Sequence, residues 1–142
     1  MPPDAFDLAR FVEAQAPVYA QVRAELAAGR KRSHWMWFVF PQIAGLGRSA
    51  MAQRYAIGSR AEAVAYLDHP LLGARLRECG ALVLSAHGPS ALDILGPPDD
   101  LKFHSCMTLF DAIAPTQETL FAQCLQRFFE GTRDSATLAL LD

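Results

Sequence analysis

The sequence predicts an all-α fold: a compact single-domain bundle of about six to eight helices with irregular, non-coiled-coil packing. Three observations carry this expectation. Apolar residues recur at three- and four-residue spacings along most of the chain, the period of one helix face and not of strand alternation. Capping residues, prolines and glycines fall where such segments begin and end. No Asn-Gly or Asp-Gly dipeptide marks a tight hairpin turn.

Between Phe6 and Ala28, the residues Leu8, Phe11, Val12, Val18, Val22 and Leu26 suit one helical face. Pro17 divides that segment or starts its second helix, because it lacks an N–H and clashes with the preceding turn. Gly29 supplies a stop. Ser59-Arg60-Ala61-Glu62 fits a capping box at a helix start, and the helix should run to about Asp68. Pro70 begins the next helix, which carries Leu71, Leu72, Leu76, Leu82 and Val83 and ends at Gly88-Pro89. Ser90 caps a short helix through Leu95, and Asp99 and Asp100 open another with Met107, Phe110 and Ile113 facing inward. Leu120, Phe121, Cys124, Leu125, Phe128 and Phe129 form the cleanest amphipathic stripe, closed by Gly131, and Asp134 or Ser135 starts a last short helix. One segment resists assignment. Trp35-Met36-Trp37-Phe38-Val39-Phe40 is apolar on every side, so periodicity allows a buried helical turn or a buried strand.

The composition describes one folded domain spanning 1–142, with 51% hydrophobic and 20% charged residues and no repeat or linker. A chain of this length buries roughly 68–70% of the surface it exposes when unfolded. The net charge of −2 argues against a general nucleic-acid or anionic-membrane binder, which carries a basic excess. Cys79, Cys106 and Cys124 are odd in number and form no C-x-x-C pair, so buried thiols in a reducing compartment are expected. Met1-Pro2-Pro3-Asp4 has neither a basic nor an apolar leader region, and the longest uncharged run, Ser33 to Gly47, is too short and broken to span a bilayer. The expected location is cytoplasmic.

Two stretches concentrate polar groups beside aromatics. In Gly29-Arg30-Lys31-Arg32-Ser33-His34-Trp35-Met36-Trp37, three cations run into Ser33 and His34, and both tryptophans follow. Lys31 and Arg32 suit a phosphate or carboxylate, Ser33 a hydrogen bond to it, and His34 a proton transfer near neutral pH. A tryptophan ring suits stacking on a nucleobase. A charged helix terminus leading into a core segment explains the same composition. In Asp99-Asp100-Leu101-Lys102-Phe103-His104-Ser105-Cys106-Met107-Thr108, helical spacing groups Lys102 with Ser105 and Cys106, and Asp99 lies one turn before Lys102. Lys102 reads as an anion ligand or perturbed base with Ser105 and Thr108 as hydroxyl donors, or else as half of a surface ion pair with Asp99. A Cys106–His34 nucleophile pair is a further, weaker option. The loop Gly45-Leu46-Gly47-Arg48-Ser49 misses the dinucleotide fingerprint, and the Walker pattern is absent, so no cofactor is expected. His69 and His87 stand outside any metal-ligand spacing, so no metal site is expected either.

The first stretch, extended through Phe40-Pro41-Gln42 to Gly45-Leu46-Gly47 and Ser49, resembles the signature of the domain-of-unknown-function 1810 family. Asp100-Leu101-Lys102, Ser105-Cys106-Met107-Thr108-Leu109-Phe110 resembles its second signature. The resemblance runs from Asp7 to about Leu140. It implies a small, mainly bacterial, single-domain protein with an all-α fold, a helical Trp35–Phe40 segment, and no established activity. Some members are labelled calpastatin, but the short repeats of that inhibitor are missing here. A looser similarity to the NADAR domain, in size and in Lys, Trp and Met content, points toward a nucleotide-like ligand.

The expected function is a binding domain or enzyme for an anionic small molecule, a nucleotide or an ADP-ribose-like compound. His34 and Lys102 are the candidate catalytic residues, and Lys31, Arg32, Ser33, Trp35, Trp37, Gln42, Ser105 and Thr108 the candidate ligand-binding ones. The alternative is a non-catalytic protein-interaction module using the Trp-rich segment. No feature of the pattern specifies an oligomeric state.

Overall fold

The computed structural model describes residues 4–141, so the Met1–Pro3 start read for a leader lies outside them. Ten helical segments and no named strand are found among the described residues. They are α1 (Ala9–Gln15), α2 (Tyr19–Ala27), α3 (Met36–Val39), α4 (Ala50–Arg54), α5 (Arg60–Asp68), α6 (Leu72–Ser85), α7 (Ala91–Leu95), α8 (Asp99–Ile113), α9 (Leu120–Phe129) and α10 (Ser135–Leu141). The number exceeds the expected six to eight because α3 and α4 are single turns, too short to show a period. The ambiguous Trp35–Phe40 segment forms α3, with Trp35 and Phe40 as its flanks.

Capping chemistry sets many of the boundaries. The hydroxyls of Ser49, Ser59 and Ser90 each accept a backbone N–H three residues on, from Ala52, Glu62 and Asp93, all at 3.1 Å. The Glu62 carboxylate also accepts the Gly58 N–H at 3.0 Å and the Arg10 guanidinium at 2.8 Å, tying α5 to α1. Gly29 closes α2 in the left-handed region, at φ +77°. The free carbonyls at the end of α6 and just beyond it are met from another helix: Arg127 of α9 donates to the oxygens of Val83, Leu84, Ala86 and Gly88.

The core is organised around α8. Phe103 and every residue from Ser105 to Phe110 are buried, so this helix is covered on nearly all sides in its middle. It packs against α5, α7, α9 and α10, while α6 packs against α2, α3, α5 and α9. Edge-on aromatic pairs lock the layers: Phe40 meets Phe103 at 5.0 Å and Phe11 meets Tyr66 at 5.0 Å between ring centres. Cys79, Cys106 and Cys124 are all buried free thiols. Burial raises the pKa of each, to about 12 for Cys79 and Cys124, which suppresses the reactive thiolate.

The α5–α6 junction allows no side chain at Gly73, near the start of α6. A Cβ there would lie 2.0 Å from the Leu67 carbonyl oxygen, which is backbone and cannot rotate away. Gly73→Ala should therefore destabilise the protein by roughly 1–3 kcal/mol, despite a helix-propensity gain of about 1 kcal/mol for alanine. Chemical denaturation measures this directly. An unchanged or raised midpoint would show that the junction has room.

Candidate functional site

The site begins with a carboxylate on the inner side of α2. Glu25 follows Val22 by three residues and precedes Leu26, so it shares their buried stripe. A charge there must find donors, and Glu25 finds them in the segment that follows the helix. Its Oε1 accepts the Arg32 N–H at 2.8 Å, the Ser33 N–H at 3.1 Å and the Trp35 indole N–H at 3.0 Å. Its Oε2 accepts the Ser33 hydroxyl at 2.6 Å and the Gln21 amide at 3.0 Å. Burial pushes its pKa up, but the Ser33 hydroxyl, the two backbone N–H groups and the indole together outweigh burial and hold it at about 2.

The clamped loop carries Lys31, whose backbone N–H donates to the Ile94 carbonyl of α7 at 2.7 Å. Its ammonium donates to the Ser33 carbonyl at 2.6 Å and pairs with Asp99 Oδ2 at 2.9 Å. Asp99 is the first residue of α8, and its Oδ1 lies 3.9 Å from the Lys102 ammonium one turn on. Each lysine also sits over a tryptophan ring, Lys31 over Trp35 at 5.0 Å and Lys102 over Trp37 at 5.3 Å. These groups line a cavity of about 360 Å³, closed by His34, Met36, Leu95 and the Pro97–Pro98 turn.

Of the residues singled out from sequence, Lys31, His34, Trp35, Trp37 and Lys102 line this one cavity. Lys31 is nearly engulfed, with 7% of its side chain exposed against 23% for Lys102, so Lys102 is the more open cation. Trp35 is a buried part of the wall, Trp37 is half-buried, and His34 is exposed. The other five face elsewhere. Arg32 is exposed beside the cavity, and the Ser33 hydroxyl is spent on Glu25. Gln42 sits past α3, where its carbonyl accepts the Ile57 N–H at 2.8 Å.

Ser105 and Thr108 are corrected from ligand donors to helix-docking groups. Residues three apart on a helix slip about 60° around it while rising about 4.5 Å, so the two hydroxyls turn away from Lys102 toward α10. Ser105 donates to Asp134 at 2.8 Å, and Thr108 accepts the Asp134 N–H at 3.0 Å, fastening the start of α10. Cys106 lies fully buried in the core and does not line the cavity that His34 borders, so the thiol–imidazole pair does not form. The Asp99–Lys102 contact exists, but Lys31 is the closer partner of Asp99 and the carboxylate is only 16% exposed. Glu25 is the residue that the sequence reading missed, although a lone acid on an apolar stripe was its signal. Among the described residues no group of three or more His, Cys, Asp and Glu side chains could hold a metal ion, and no helix is long and apolar enough to cross a membrane.

The pKa of Glu25 sets a pH dependence. Its folded value lies below the ordinary 4.5, so the stability it confers is present above that pH and is lost as pH falls toward about 2. Glu25→Gln should flatten this part of the stability–pH profile and cost about 2 kcal/mol at neutral pH. Denaturation midpoints from pH 7 to pH 3 measure both effects, and parallel profiles for the two proteins would contradict the clamp.

The geometry has a close relative among solved structures. A crystal structure of the conserved hypothetical protein Rv1873 from Mycobacterium tuberculosis is 56% identical, covers 97% of this chain and 98% of its own, and superposes with a TM-score of 0.94. No curated protein matches the chain. Residues 5–141 match the family model described as a protein of unknown function, DUF1810, and the chain belongs to that family.

Proposed function

We propose that the cavity binds an anionic small molecule of the nucleotide or ADP-ribose kind. Lys102 meets its anionic group, Trp37 offers a ring face to its sugar or base, and His34 at the rim would carry the proton transfer of a catalysed step. One observation supports this reading above the others: the two polar, aromatic stretches, far apart in sequence, line a single cavity. Its volume of about 360 Å³ falls in the range of small-ligand pockets, roughly 300–1,000 Å³. Within it Lys31 and Asp99 neutralise each other, which leaves Lys102 as a net positive charge.

The alternative, a protein-interaction module built on the Trp-rich segment, needs that segment at the surface. Trp35, Met36, Phe38, Val39 and Phe40 are each 7% exposed or less, so only Trp37 is available to a partner.

Thermal shift against nucleotides, ADP-ribose and sugar phosphates tests the proposal. A ligand at one hundred times its Kd adds about 2.7 kcal/mol of stability, a shift of several degrees. Lys102→Ala should weaken binding at least tenfold, the loss expected when a charged hydrogen-bond partner is removed, with little change in the melting temperature of the free protein. A full shift in the Lys102→Ala protein would overturn the assignment of this cavity.

A further inference from the structure

We propose that Asp99 is the specificity-determining residue of this cavity and that it selects a ribonucleotide, taking the ribose hydroxyls as donors to its Oδ1. The inference rests on the anion-binding reading above and adds the group next to the anion. Lys31 holds Asp99 in place: its ammonium spans the Ser33 carbonyl and Asp99 Oδ2, and its side chain is almost wholly buried. One carboxylate oxygen is therefore satisfied, whereas among the described residues Oδ1 has the Lys102 ammonium at 3.9 Å, beyond hydrogen-bond reach, and no closer partner. A carboxylate accepts about four hydrogen bonds, so Oδ1 presents open acceptor capacity to the cavity that Asp99 lines.

The charges around Oδ1 decide which donor fits. An ammonium group would have to enter beside Lys31 and Lys102 and is repelled by both. A bare anion gains Lys102 but faces the Asp99 carboxylate one contact away. A ligand with a neutral hydroxyl beside its anionic group offsets that repulsion, since the hydroxyl donates to Oδ1 while the anion meets Lys102. Charge complementarity thus points to a hydroxylated anion. The half-buried Trp37 ring beneath Lys102 adds an apolar face for the sugar or base, and the cavity, at about 360 Å³, holds far more than the roughly 30 Å³ share of one water molecule.

Isothermal titration of the wild-type protein, Asp99→Asn and Lys102→Ala with three probes tests this: adenosine 5′-monophosphate, its 2′,3′-dideoxy analogue, and inorganic phosphate. Wild type should bind the ribonucleotide at least about tenfold tighter than the dideoxy compound, the loss expected for one hydrogen bond to a charged group. In Asp99→Asn, Lys31 retains the amide oxygen and the amide nitrogen replaces Oδ1 as a donor. The ribose preference should then collapse to about twofold or less, while inorganic phosphate binds as well or better. Equal wild-type affinity for the two nucleotides, or an undiminished preference in Asp99→Asn, would overturn the proposal. If all three probes bind alike and lose affinity in Lys102→Ala, the selectivity fails and the anion site stands. If none binds to wild type, both fail together. Should Asp99→Asn not fold, the wild-type comparison decides alone.

Discussion

A carboxylate removed from water has to be surrounded by donors, and the five that meet Glu25 constrain much of the rest of this molecule. Three of them are main-chain or indole N–H groups of residues 32–35, so the path of the loop after α2 is set by where α2 buries its acid. That path delivers Lys31 to the carbonyl end of α7 and to the first residue of α8. The cavity walls are thereby assembled from segments that have no local reason to meet. Charge-assisted bonds in a water-poor setting are the stronger kind, which suits them to holding a loop that has no helix of its own.

The helix α8 serves three purposes with different parts of its length. Its first turn presents Asp99 and Lys102 to the cavity, its middle is buried among aromatic and aliphatic side chains, and its hydroxyls engage Asp134 at the start of α10. Asp134 in turn has its pKa lowered: burial raises it, and the hydroxyls of Thr137 and Ser105, with the nearby His104 and the Thr137 N–H, together outweigh burial. The polar groups of this helix are therefore not one site. The axial rise and rotation of an α-helix divide them between ligand-sized space and helix docking.

The helices were legible because their signals are short-range. Ser59 caps a helix as its spacing from Glu62 implies, Ser90 caps the short helix before Gly96, Gly29 takes the left-handed conformation at the end of α2, and the Leu120–Phe129 stripe is α9. The turn α4 was not, since five residues carry too little period and only the Ser49 cap betrays it. Within the site, the clustering of Lys31, His34, Trp35 and Trp37 was visible as composition, and Lys102 stood out as a cation at a helix start. The face on which Ser105 and Thr108 lie was not visible, because both sides of α8 are covered and the pattern there has no polar side to read.

The sequence by itself determined the all-α class, most helix boundaries, the buried thiols and the two stretches rich in cations and tryptophan. Each of these depends on residues within a turn or two of one another, or on totals over the chain. Only the tertiary structure decided that the two stretches share one cavity, that Lys31 and not Lys102 is the close partner of Asp99, and that Glu25 is the centre of the loop clamp. Those are contacts between distant segments, set by how α2, α7 and α8 pack, and the pairing of a buried charge is fixed by geometry that no local pattern encodes.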